Sequence, residues 1–142
     1  MPVEESGNLL ILIAAIAQID GNAKFAGRYW PKLEQWADYL RTKGFDPENQ
    51  LCTDDFAGHL AHNVNLSAKA ITALGAFAKL CELHGDHQKA QEFQKVAAEF
   101  AQRWAKEALE DRHYRLAFDR PGSWSRLLRA AARCSGRGLV RC

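Results

Sequence analysis

Between Leu51 and Ile71 the chain reads LCTDDFAGHLAHNVNLSAKAI, and its first two thirds hold most of the candidate chemistry. Asp54 and Asp55 are adjacent, His59 and His62 are three apart, and Asn63 and Asn65 follow. Paired carboxylates at one mouth suit hydrolysis: one stays protonated as a general acid while the other activates water. A second pair, Glu4 and Glu5, lies in the opening MPVEESGN, with Asn8 at its end. Both clusters precede long apolar runs. If those runs are helices, their N-termini offer unpaired N–H groups and partial positive charge, which favour carboxylates and polar ligands. Glu4, Glu5, Asp54 and Asp55 are therefore the candidate catalytic acids. His59, His62, Asn63, Asn65 and Asn8 are the candidate substrate-binding groups. The plainer reading is that the acids cap helices and the asparagines serve loops and caps.

Asp55, His59 and His62 fall at i, i+4 and i+7, one face of a short helix if one forms there, which is a spacing able to ligate a metal. Hydrogen-bonded histidines beside a cleft are the preferred reading, and no metal or cofactor is expected. No glycine-rich phosphate loop is visible, and Ser6-Gly7 lacks the GxSxG context of a nucleophile elbow.

Four helices must position these groups, and they are of two kinds. Asn8–Ile19 is apolar on every side and is expected to be buried all round, ended by Asp20-Gly21. Ala23–Lys43 is amphipathic, with Phe25, Tyr29, Leu33, Trp36 and Leu40 on one face. Pro31 either kinks it or starts a new helix. Leu66–His84 is again mostly apolar, broken only by Lys69, Thr72, Lys79 and Glu82, with Ser67 as a plausible N-cap. Asp86–Leu109 is amphipathic, with Phe93, Ala97, Phe100, Trp104 and Ala108 in line. Core packing is the default for these aromatics, and a sugar-stacking platform the minority reading.

A weak repeat supports the alternation: Tyr29 and Phe93, Trp36 and Phe100, and Leu40 and Trp104 are each 64 positions apart. The expected fold is all-α, with two inner/outer helical hairpins forming part of an (α/α)6 toroid. Each hairpin of such a ring buries its flanks on neighbours. A four-helix bundle explains less well why two helices lack a polar face.

The 142 residues make about one domain, with apolar and charged shares of 47% and 25% and a net charge of +2. The basic excess belongs to the tail: Arg126, Arg129, Arg133, Arg137 and Arg141 stand among no acids. Residues 1–125 are read as a partial toroid domain and 126–142 as an arginine-rich tail, foreign or disordered. The tail lacks interleaved aromatics, so no nucleic-acid partner is expected. The apolar run Leu9–Ala17 is too short to span a bilayer, and Glu4 and Glu5 have the wrong charge for a signal peptide. The four cysteines show no metal-ligand spacing and read as thiols, with a cytoplasmic location by default.

PVEESGN, YWPKLEQWADYL, DPENQLCTDDFAGHLAHNVNLSAKAI and HYRLAFDRPGSWS together resemble the glutaminase A-like proteins of fungi and bacteria. The resemblance runs from Met1 to about Ser125. It implies a six-hairpin (α/α)6 toroid, a scaffold that also hosts glycoside hydrolases, and hydrolysis of the glutamine side-chain amide. It places Glu5, Asp54 and Asp55 at motif positions worth testing. Family members are much longer, so the resemblance implies a two-hairpin piece of a larger enzyme, with the arginine tail replacing a further segment after Ser125. Three functions are carried forward. One is a hydrolase acting on glutamine or a similar amide. Another is a glycoside hydrolase on the same scaffold. The third is a non-catalytic helical module that self-associates into a homo-oligomer through exposed apolar flanks.

Overall fold

A computed structural model of the chain describes residues 1–53 and 58–125. Asp54 and Asp55, and the arginine-rich tail with Cys134 and Cys142, lie outside the described residues.

Helix α1 spans Pro2–Asp20. It starts six residues earlier than the apolar run suggests, so Glu4 and Glu5 lie in its first turn instead of leading into it. Pro2 supplies the preset φ and the missing N–H that suit a first helical position, and the two acids complement the positive end of the helix dipole. These start signals outweigh the polarity of EES. A four-residue helix, α2, covers Lys24–Gly27, and α3 covers Trp30–Lys43. Pro31 therefore starts a helix and does not kink one. Helix α4 spans Val64–His84 and α5 spans His87–Glu107. The α4 cap is Asn63, not Ser67. Its side-chain oxygen accepts from the N–H groups of Asn65 and Leu66 at 2.9 and 3.1 Å. Asp86 caps α5 through the Lys89 N–H at 3.0 Å.

Helix α4 packs against both α1 and α5, and α3 touches both α1 and α4. The first hairpin is α1 with α3, and the second is α4 with α5. Gly21 and Gly85, again 64 positions apart, end α1 and α4 in the left-handed region at φ 67° and 92°, where a side chain is disfavoured. The core runs through Leu10, Leu33, Leu40, Leu66, Leu74 and Phe77, all fully buried. After α5, β1 (Leu109–Glu110) pairs antiparallel with β2 (His113–Tyr114) around a turn in which Asp111 takes φ 51°.

A further expectation fails. Helix α1 is not buried all round: Leu9, Leu12 and Ile19 are exposed at 40%, 56% and 85%. Helices α2, α3 and α4 pack against it, and Leu9, Leu12, Ile13 and Ile16 remain along an open groove bordered by Phe25, Tyr29 and Trp36. Although α1 is long and apolar enough to cross a membrane, its covered side belongs to the protein core.

Candidate active site

Four strands of chain converge at one end of the helices. Val3 N–H donates to Gln50 Oε1 at 3.0 Å, joining the start of α1 to the loop after α3. Val64 N–H donates to the Leu116 carbonyl at 3.2 Å, and Phe118 N–H to the His62 carbonyl at 2.9 Å, joining the start of α4 to the segment after β2. Phe45 packs on Phe100 and Phe118 at ring separations of 5.2 and 5.4 Å. Trp104 closes the set, its indole N–H donating to the Val64 carbonyl at 2.9 Å. The N-termini of both apolar helices therefore lie at the same end, where their dipoles favour negative charge, while the Val3, Val64, Asn65 and Leu66 N–H groups are already bonded within the protein.

Glu4 lies at the centre of this end and is only 3% exposed. Its Oε1 meets the Lys69 ammonium at 2.5 Å, and its Oε2 accepts from the Thr53 N–H at 2.6 Å. Burial works against its charge. The Lys69 hydrogen bond and the Thr53 N–H more than offset that, and hold the carboxyl below its ordinary range. A carboxylate so held, with both oxygens engaged, stays ionised. It can anchor a site or carry its charge, and is a poor proton donor. Its partner Lys69 was absent from the sequence-based candidates. The signal was present: it is a cation in the first turns of an otherwise apolar helix, and such a charge calls for a buried partner.

The other candidates are spread around this centre. Glu5 is exposed, about 100° round the helix from Glu4, and Asn8 is exposed one turn on. Asn63 is 3% exposed, and beyond its capping bonds its amide donates to Cys52 Sγ at 3.6 Å. Asn65 is half-buried in the first turn of α4, and His59 is exposed. His62 holds the loop in shape: it takes φ 58°, its N–H donates to the Pro47 carbonyl at 2.8 Å, and its Nδ1 lies 2.7 Å from Asp46 Oδ1. That bond to Asp46 raises its pKa. Neither histidine lies in a helix, so the i, i+4, i+7 face with Asp55 does not form at those two positions. Among the described residues no group of three or more His, Cys, Asp or Glu is placed to hold a metal.

Sequence reasoning also passed over Glu110, His113 and Arg115. Glu110 Oε2 accepts from the Gly122 N–H at 2.8 Å and lies 3.3 Å from Arg115 Nε and 3.7 Å from His113 Nε2. The Gly122 bond and then the Arg115 charge lower its pKa. The His113 ring stacks on Trp124 at 4.2 Å, nearly parallel at 2°. The signal here was the run of ionisable groups in EDRHYR. Cys81 offers no nucleophile, since burial pushes its thiol up to about 12.

Comparison with known proteins adds three findings. The family model described as the glutaminase A six helical-hairpin domain matches residues 1–132. Glutaminase A of Aspergillus oryzae is 36% identical over 104 residues, covering 73% of this chain and 15% of that protein. A probable glutaminase of Arthroderma benhamiae is 32% identical over 102 residues, covering 70% of this chain and 12% of that protein. The chain thus spans about a seventh or less of these relatives' lengths. No solved structure matches it.

Proposed function

Because the chain belongs to the glutaminase A six-helical-hairpin family, we propose that its shared mouth serves hydrolysis of a glutamine-type side-chain amide by a carboxylate-activated water. The observation that supports this reading is the buried Glu4 carboxylate, held ionised by Lys69 and Thr53 where α1 and α4 both begin. Glu4 fixes the two helix starts and the loop after α3 with respect to one another. Glu5, Asp54 and Asp55 are the candidate acid and base. His59, Asn65 and Asn8 are the polar groups available to orient the amide.

In the reaction, one carboxylate removes a proton from water as the water oxygen bonds to the amide carbon. The carbonyl oxygen becomes an oxyanion, which the partial positive charge at a helix N-terminus favours. A protonated carboxyl then gives its proton to the departing nitrogen, and ammonia and a carboxylate result. The names of the two relatives agree with this substrate class.

A glycoside reading on the same scaffold has one observation in its favour: Trp124 is 57% exposed, with His113 stacked on one ring face, and an exposed indole is the kind of surface on which a sugar stacks. Incubating the full chain with L-glutamine and with aryl glycosides separates the readings. Ammonia without nitrophenol is the expected result. Nitrophenol alone would favour the glycoside chemistry, and neither product would remove the hydrolase reading.

A further inference from the structure

The Glu4–Lys69 pair shows one sign of charge to solvent. The Glu4 side chain is 4% exposed and that of Lys69 is 25%. Both Glu4 oxygens are engaged, Oε1 by the Lys69 ammonium and Oε2 by the Thr53 N–H. An ammonium carries three donors, and no described residue other than Glu4 accepts from this one. The carboxylate is thus the hidden half of the pair, and the cation is the half that a ligand meets.

The lysine is also held in place before any ligand arrives. Its stem lies against α1 beside Gly7, where a Cβ would stand 3.3 Å from Lys69 Cγ and 3.8 Å from its Cδ. Gly7 is one turn on from Glu4, so the missing side chain leaves the stem a path along the helix to the carboxylate. A lysine free in solvent loses rotamer freedom when it closes on a ligand. Here Glu4 and Gly7 have already fixed those rotamers, which is the part of the binding cost that preorganisation removes.

Two side-chain amides flank the pair. Asn8 is one turn after Glu4 on α1, and Asn65 is one turn before Lys69 on α4, so the i, i+4 spacing puts each on the same face of its helix as the charged residue. Asn8 is exposed and Asn65 half-buried. An ammonium with amide donors beside it suits a carboxylate: one oxygen takes a charge-assisted hydrogen bond, and the other is left for an amide N–H. The single charge also decides between anions. A carboxylate is neutralised by one ammonium, whereas the second charge of a phosphate would be left facing Glu4 and the exposed Glu5.

We propose that Lys69 is the specificity-determining residue of this site and binds the α-carboxylate of a free amino-acid substrate. The proposal rests on the amide-hydrolysis reading for its substrate and narrows it. That reading asks only for a side-chain amide. A grip on the α-carboxylate excludes glutamine inside a peptide chain, where that group is consumed in the peptide bond.

NMR titration of the full chain with L-glutamine and with L-glutamine α-amide, which lacks the carboxylate, tests it. The expected result is binding of L-glutamine about 10-fold tighter or more, the size of one charge-assisted hydrogen bond, with the Lys69 side-chain signals moved by L-glutamine and not by the α-amide. Equal binding of the two, binding of neither, or Lys69 signals that stay still overturns the proposal. Lys69→Met is expected to bring the ratio close to one, and Lys69→Arg, which keeps a cation, to preserve the preference. A preference that survives Lys69→Met overturns the proposal. Should Lys69→Met fail to fold, the two titrations of the parent chain decide alone. Ammonia release measured alongside separates the two readings. Release from both compounds at equal kcat/KM removes the role of Lys69 and leaves the hydrolase, whereas selective binding without release leaves the role of Lys69 and removes the hydrolase.

Discussion

The Glu4 carboxylate on α1 and the Lys69 ammonium on α4, 65 positions apart, meet at 2.5 Å and lock together the starts of the two apolar helices. The pair is unequally covered, since the Lys69 side chain is 25% exposed and that of Glu4 is 4%. Removing either partner therefore has different consequences. Lys69→Met leaves a buried carboxylate without its cation and is expected to cost about 3 kcal/mol. Glu4→Gln leaves a lysine that can turn to water and keeps an acceptor for Thr53, so about 1 kcal/mol is expected. Urea denaturation of both variants measures the ordering. The lowered pKa of Glu4 also sets a pH window. Its stabilising contribution is full above the ordinary carboxyl value of 4.5 and is lost as pH falls through the lower folded value. The Lys69→Met deficit should accordingly shrink as pH falls toward the lowered Glu4 value, because the variant's uncompensated carboxyl takes up its proton first.

His62 titrates with the opposite sign. Its bond to Asp46 raises its pKa above the ordinary 6.5, so that contribution is full below 6.5 and is lost as pH rises through the folded value. Following the His62 ring by NMR should give a midpoint above 6.5. Asp46→Asn should bring it back toward 6.5.

Asn63 caps α4 and also donates to the Cys52 sulfur. Asn63→Ala is expected to cost about 1–2 kcal/mol in thermal or urea unfolding. Asn63→Asp keeps the accepting oxygen and should recover most of that loss, whereas Ser67→Ala, which removes no cap, should not mimic it.

Gly44, at the end of α3, lies against α4. A Cβ there would stand 2.7 Å from the Ala70 Cβ and 2.4 Å from the Leu40 carbonyl oxygen. Gly44→Ala is therefore expected to destabilise by about 1–3 kcal/mol through overpacking. Pairing it with Ala70→Gly should return only part of that loss, because the clash with the Leu40 carbonyl remains.

The helices were legible because periodicity and caps are local. The 64-residue repeat, the stops at Gly21 and Gly85, and the buried stripe through Leu33 and Leu40 all lie in short windows of sequence. The start of α1 was misplaced because an apolar run was weighed above Pro2 and two first-turn acids. The N-cap went to Ser67 for a related reason: the apolar pattern begins near Leu66, although Asn63 is the better-placed residue. The site was less legible. Glu4 was picked out by type, but its pairing with Lys69 and Thr53 joins segments separated by 65 and 49 positions, and no periodicity encodes that. His62 was read as a substrate-binding group because its left-handed backbone and its bond to Asp46 arise only from the folded loop. The open side of α1 was hidden for a third reason: hydropathy reports what a helix would bury, not what arrives to bury it.

Ammonia release from L-glutamine by the full chain and by its Glu5→Gln, Asp54→Asn and Asp55→Asn variants tests the central claim most directly. The account predicts release by the parent chain and a fall of about 100-fold or more in at least one variant, the size expected for loss of a general acid or base. No release by the parent chain, or rates unchanged in all three variants, would contradict it.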